Sequence, residues 1–258
     1  MADHQPRKRF GQNFLHDRHV LAQIVAAIAP RAGDSLVEIG PGRGALTWLL
    51  AEHVQPLHVI EIDRDLIPML READTAFRLV IHEGDALEFD FGALAAPLRV
   101  VGNLPYNIST PLLFHLASYA GHLRDGHFML QKEVVERMVA EAGSPAYGRL
   151  SVMLQCRFDM ELLFIVGSGA FTPQPKVESA IVRLAPIAVP PVSAELMPRF
   201  EAIVTRAFTM RRKTLRNALA AVLTAEQIEA AGVDPTLRAE MLDVAAFARL
   251  AQVVPSAA

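Results

Sequence analysis

The 258-residue chain holds one cysteine, Cys156, one tryptophan and three tyrosines. A single thiol cannot close an internal disulfide or by itself build a metal site, so a reducing cytoplasm is its simplest home. No uninterrupted apolar run approaches the roughly 20 residues needed to cross a bilayer. Internal repeats and low-complexity segments are also missing. What is there is a globular composition, 52% hydrophobic and 21% charged, with a mean hydropathy of +0.25. It excludes disordered, collagen-like and disulfide-stapled classes. The length suits one large α/β domain with a smaller appendage.

The formal net charge of −3 argues against a general nucleic-acid binder. Its distribution is more informative. Residues 206–217 (RAFTMRRKTLRN) hold five cations and no acid, and residues 1–20 carry Arg7, Lys8, Arg9 and Arg18 against Asp3 and Asp17. The rest of the chain is therefore strongly acidic. Two basic islands on an acidic body suggest directed anion contacts, although a basic run is commonly a solvated face.

The amino terminus pairs a charged stretch with an apolar one, as a signal peptide does. However, Val20, Leu21, Ile24, Val25 and Ile28 share one helical face, with Asp17 placed to cap its start, so an amphipathic helix is expected. From residue 35 the chain alternates short β-type runs (SLVEIG, LHVIEID, FRLVIHEGD, LRVVGNLP, GHFMLQ, MELLFIV, SAIVRLAP) with helical stretches (ALTWLLAEHV, DLIPMLREA, TPLLFHLASYA, KEVVERMVAEA). This pattern predicts a doubly wound, seven-stranded α/β sheet with its ligand site at the carboxyl ends of the strands. Pro186, Pro190 and Pro191 mark a linker. Beyond it PRFEAIVTRAF, RNALAAVL, AEQIEAAG and AAFARLAQVV predict a small all-helical domain. The expected boundaries are 1–185 and 190–258.

Four motifs fall at predicted strand ends. Val37-Glu38-Ile39-Gly40-Pro41-Gly42-Arg43-Gly44 runs from a strand into a glycine-rich turn, one residue shorter than the dinucleotide fingerprint G-x-G-x-x-G. Glu61 ends the next strand, where a carboxylate can accept both hydroxyls of a ribose; Asp63 reads better as a helix cap. Gly84-Asp85-Ala86 follows the third strand, where Asp85 can accept from an adenine amine. Asn103-Leu104-Pro105-Tyr106-Asn107 follows the fourth. An amide oxygen and a backbone carbonyl there can both accept from one exocyclic amine, which keeps the nitrogen lone pair out of the ring and makes it a better nucleophile. An adjacent tyrosine can stack on a flat heterocycle. Read alone, each motif also fits a plain turn or a core side chain.

Together, VEIGPGRGALT, VIEID, EGDAL and NLPYNIS resemble the adenosine dimethyltransferase family acting on small-subunit ribosomal RNA. GQNFLHD, FTPQPKVESAIVRL and FTMRRKTLRN extend the resemblance from residue 11 to residue 217. Each motif is shared with wider methyltransferase groups; the ordered set is specific. The resemblance implies a Rossmann-like S-adenosylmethionine-dependent methyltransferase with a helical RNA- or ribosome-binding tail. Its expected reaction is N6-dimethylation of two adjacent adenosines near the 3′ end of 16S RNA in a small-subunit (30S) assembly particle, by a cytoplasmic monomer needing neither metal nor membrane. It places Asn13, Leu15, Gly40, Glu61, Asp85 and Asn103 on the cofactor. Asn103, Leu104, Pro105, Tyr106 and Phe171 fall on the target adenine, with Tyr106 and Phe171 as the sandwich around it. The family resemblance and the cation run together suggest Arg211, Arg212, Lys213 and Arg216 for RNA. Arg43 stands where many relatives have leucine.

Three other readings stay open at this stage. One is a 23S RNA adenine N6-methyltransferase of the macrolide-resistance type, and a second is an assembly checkpoint protein acting mainly by binding. A nicotinamide dehydrogenase is disfavoured by the glycine spacing and by NLPY.

Overall fold

The structure, a computed structural model, describes residues 12–210 and 212–254. In chain order the elements are β1 (Phe14–Leu15), α1 (Arg18–Ile28), β2 (Ser35–Ile39), α2 (Thr47–Leu50), β3 (Leu57–Glu61), α3 (Leu66–Ala73), β4 (Leu79–Glu83), β5 (Leu98–Asn103), α4 (Ser109–Ser118), β6 (Leu123–Gln131), α5 (Lys132–Met138), α6 (Arg149–Gln155), β7 (Phe158–Val166), β8 (Phe171–Thr172), β9 (Ser179–Pro186), α7 (Met197–Thr209), α8 (Leu215–Ala218), α9 (Ala225–Ala230) and α10 (Val244–Val253).

The seven expected strands form one sheet in the order β4-β3-β2-β5-β6-β9-β7, with β2 to β6 parallel and β9 antiparallel to β6. Chain order reverses at β2, between β3 and β5, so the crevice beyond the carboxyl ends of β2 and β5 is where such a sheet takes a ligand. The predicted first helix is α1. Asp17 caps it, its Oδ1 accepting from the amides of His19 (2.8 Å) and Val20 (3.1 Å), a cap worth about 1 kcal/mol. Leu21, Ile24 and Ile28 are its buried stripe, joining Leu36, Val59 and Val101 of the sheet in one core. Buried Arg99 fixes the far end of this layer. Its guanidinium donates to Asp125 and Asp34, each at 2.8 Å, and to the Ile28 carbonyl at the end of α1.

Two features differ from expectation. The helix expected over 45–54 is only the single turn α2, because Pro56 stands before β3 and the chain must straighten into it. The compact units divide between Pro186 and Ile187, inside the expected 185–190 linker, but a segment of the expected first domain belongs to the second unit. One unit holds the residues up to Val135 with Met160–Pro186, and the other holds Glu136–Asp159 with the residues from Ile187 on. The inserted segment joins the second unit through its own polar contacts. Gln155 donates to the carbonyls of Met138 and Ala140, the Gly143 amide donates to the Glu240 carbonyl, and Arg149 pairs with Glu201. In that unit α7 buries Phe200, Ile203, Val204 and Ala207, and α10 buries Phe247 and Leu250. Among the described residues no helix is long and apolar enough to cross a membrane.

Candidate active site

The strand ends of the first unit open into a cavity of about 730 Å³, a size typical of small-molecule sites. It is lined by Asn13, Leu15, Gly40, Glu61, Asp85, Asn103, Leu104, Pro105 and Tyr106, so one crevice brings together nearly all the residues read from the four motifs. Gly40 leaves β2 with φ +68°, and a Cβ built on it would meet nothing within 4 Å. The backbone there is bare to the cavity. Positive φ requires glycine at this turn, and the open side lets a ligand reach the main chain.

Glu61 is 4% exposed at the end of β3. Its Oε1 accepts from the Asp63 amide (2.8 Å) and its Oε2 from the Gly42 amide (3.2 Å). Burial pushes its pKa up, and these amides oppose that shift by favouring the carboxylate. Each oxygen keeps a further lone pair, so the carboxylate, clamped between loop and strand, can still accept two hydroxyls. The cap of α3 is expected at Asp63, but the N-cap is Asp65. Asp63 stands in the turn ahead of the helix, its Oδ1 accepting from the Asp65 amide and its Oδ2 from Gln12 Nε2 at 2.9 Å.

Asn103 ends β5. Its Nδ2 donates to the Asn13 carbonyl at 3.0 Å. A carbonyl can only accept, so this contact fixes the amide orientation and leaves Oδ1 as the acceptor. Tyr106 lies half-buried beside it, its hydroxyl 2.8 Å from the Ser179 hydroxyl. That anchor holds the ring at the wall. Phe171 does not share the wall. Its ring is 3% exposed, packed in the core with Leu15, Val166 and Ile181, and it is Thr172, the next residue of β8, that lines the cavity. The sandwich expected between Tyr106 and Phe171 is therefore corrected. β8 pairs with β1, Phe171 opposite Leu15, and alternation along so short a strand turns the ring inward.

Two buried ionisable groups on the wall went unread in the sequence. His127 is 4% exposed, and burial pushes its pKa down to about 4, so the imidazole is neutral. Glu38, 2% exposed on β2, has its pKa pushed up to about 7, first by burial and further by the nearby Glu61 charge. A neutral acid is what the fold accepts. Stability tied to Glu38 is complete below its ordinary value of 4.5 and lost as pH rises through about 7. Glu38→Gln is expected to stabilise the protein by about 1–3 kcal/mol at pH 8, raising the melting temperature by several degrees, with the gain shrinking toward pH 5. Melting curves that shift equally at both pH values would show that ionisation of Glu38 is not the cause.

Compared with known proteins, residues 3–255 match the family model described as ribosomal RNA adenine dimethylase. The chain belongs to that family. Proteins named ribosomal RNA small subunit methyltransferase A from Nitrosospira multiformis and Pseudomonas aeruginosa are each 57% identical to this dimethylase-family chain. The first aligns over 95% of this chain and 94% of its own length, the second over 97% and 95%. Among solved structures, a dimethyladenosine transferase from Plasmodium falciparum superposes with a TM-score of 0.80 at 26% identity, covering 92% of this chain and 95% of that one. The 23S rRNA methyltransferase ErmE gives 0.75 at 28%, covering 94% and 99%.

The basic run lies in the second unit of this rRNA dimethylase. Arg211 falls outside the described residues, whereas Arg212, Lys213 and Arg216 are exposed. Residues 212 and 216 are four apart but do not share a helix face. Lys213 closes a turn on the Met210 carbonyl and Thr214 forms a bridge to Arg238, so α8 begins only at Leu215. The bridge brings exposed Arg238 beside the run, a cation the sequence reading missed because it lies 22 residues further on.

Proposed function

We propose that this adenine dimethylase transfers methyl groups from S-adenosylmethionine to N6 of two adjacent adenosines near the 3′ end of 16S rRNA. It would act as a cytoplasmic monomer on a small-subunit assembly particle, without a metal. The observation that carries this reading is the Asn103 amide, oriented by the Asn13 carbonyl and set beside the Tyr106 ring. The open backbone at Gly40, the clamped Glu61 and the carboxylate of Asp85 fit the methionine, ribose and adenine parts of the cofactor. When bound, that cofactor supplies an electrophilic methyl group on a sulfonium.

The residues then align rather than activate strongly. A base paired in a duplex cannot present N6 in line with a donor, so the adenosine must be extruded or already unpaired. Tyr106 stacks on it, a contact worth about 1–3 kcal/mol. Asn103 Oδ1 and the Leu104 carbonyl accept the two amine hydrogens, turning the lone pair toward the methyl group. Holding donor and acceptor in one geometry supplies most of the acceleration.

Labelled S-adenosylmethionine with unmethylated small-subunit particles, followed by mapping of modified nucleosides, tests the reading. Two dimethylated adenosines near the 3′ end of 16S RNA are expected. Modification of 23S RNA alone would favour the activity named for ErmE. Glu61→Ala is expected to weaken cofactor binding by about 1.5–3 kcal/mol, the range for hydrogen bonds to a charged group. Isothermal titration giving the parental affinity would remove Glu61 from the ribose role.

A further inference from the structure

Arg43 is exposed at the rim of the cavity, in the middle of the glycine loop. Its guanidinium carbon lies 4.9 Å from the centroid of the Phe14 ring. The same ring rests on the loop backbone, since a Cβ built at Gly42 would come within 3.1 Å of its edge carbons. Residues 12–15 cross the cavity from Asp63 to Asn103. Gln12 holds Asp63, Phe14 and Leu15 pair with β8, and the Asn13 carbonyl takes the Asn103 amide. Gln12, Asn13, Phe14, Leu15 and Arg43 all line the cavity. Gln12 and Asn13 fix the strap's amino end and Phe14 and Leu15 pair with β8, while the Phe14 ring packs on the glycine loop.

We propose that Arg43 is a positioning residue for the cofactor. Its guanidinium, seated over the Phe14 ring, clasps the amino-terminal strap to the glycine loop and slows escape of the cofactor and of spent S-adenosylhomocysteine. The inference rests on the cofactor reading above. It has a consequence for turnover, because placing two methyl groups on each of two adenosines requires the spent cofactor to leave between transfers. The clasp thus sets how fast one transfer can follow another without touching the reacting atoms.

The test is the dissociation rate of S-adenosylhomocysteine from the full chain, followed by stopped-flow chase. The signal is the fluorescence of Trp48, whose indole packs against Gly44 of the same loop. Arg43→Leu keeps bulk and removes the cation; release is expected to quicken about 2- to 5-fold, the effect of one solvent-exposed cation–π contact. Arg43→Lys should fall between parent and Leu, because an ammonium also sits on a ring face. Phe14→Leu should quicken release as well, and the double variant should be no faster than the faster single one, since both changes break one contact. A parental release rate in Arg43→Leu, or single effects that multiply in the double variant, would overturn the clasp. So would a lower melting temperature of the unliganded Arg43→Leu protein with unchanged release. Failure of the parent protein to bind S-adenosylhomocysteine would sink the cofactor reading itself, whereas tight binding with unaltered release sinks the clasp alone.

Discussion

Replacing Asn103 with alanine is expected to slow methyl transfer by about 100- to 1000-fold under single turnover with saturating RNA and cofactor, the range for removing one preorganised polar group from a reacting centre. Only the amide oxygen is free for the target amine, because the nitrogen is committed to Asn13. The cost therefore falls on the chemical step. RNA affinity should change little, since docking draws on many phosphate contacts. Asn103→Asp separates orientation from acceptance. It retains an acceptor but sets a carboxylate against the Asn13 carbonyl, so it should also loosen the strap and weaken cofactor binding. Single-turnover rates of Asn103→Ala near the parental value would show that amine acceptance is not its role.

The sheet was legible because its signal is long and redundant. β2, β3 and β5 are largely apolar runs that end beside Gly40, at Glu61 and at Asn103, and both the pattern and its ends survive into the structure. Glu61, Asp85 and Asn103 could be placed together because a parallel sheet puts successive carboxyl ends on one edge, whatever the details of packing. Features set by tertiary contact were not legible. Phe171 has the residue type for stacking, but a two-residue strand paired with β1 decides which way it points. Glu38 reads as an ordinary member of a β run, and only its tertiary surroundings, burial first and the nearby Glu61 charge after it, raise its pKa to about 7. The junctions of residues 136–159 fall inside α5 and β7, where no linker marks them, and hydrogen bonds place the segment with the helical tail. The spacing of Arg212 and Arg216 implied a helix that the Thr214–Arg238 bridge replaces with a turn.

That turn sharpens the expectation for the basic run. Exposed Arg212, Lys213 and Arg216, with Arg238 beside them, form a platform of cations in the unit that does not contain the cavity. Arg211 belongs to the same run in sequence. We infer that the platform docks ribosomal RNA through its phosphates. Each phosphate contact contributes roughly −0.9 to the logarithmic salt slope on duplex and −0.7 on single strands. Replacing Arg211, Arg212 and Lys213 with alanine should therefore weaken binding to small-subunit particles and flatten its salt dependence by about 2–3 units. Arg212 and Lys213 are not on the wall of the cavity, and S-adenosylmethionine affinity should stay at the parental value. Turnover should fall at low particle concentration and recover as particles are raised, the opposite of the Asn103 defect. Arg238→Ala should lower the slope by roughly one further unit if the bridge places its guanidinium on the same RNA. A triple variant with the parental slope would make the run a solvated face, and the docking surface would have to be sought elsewhere on the molecule.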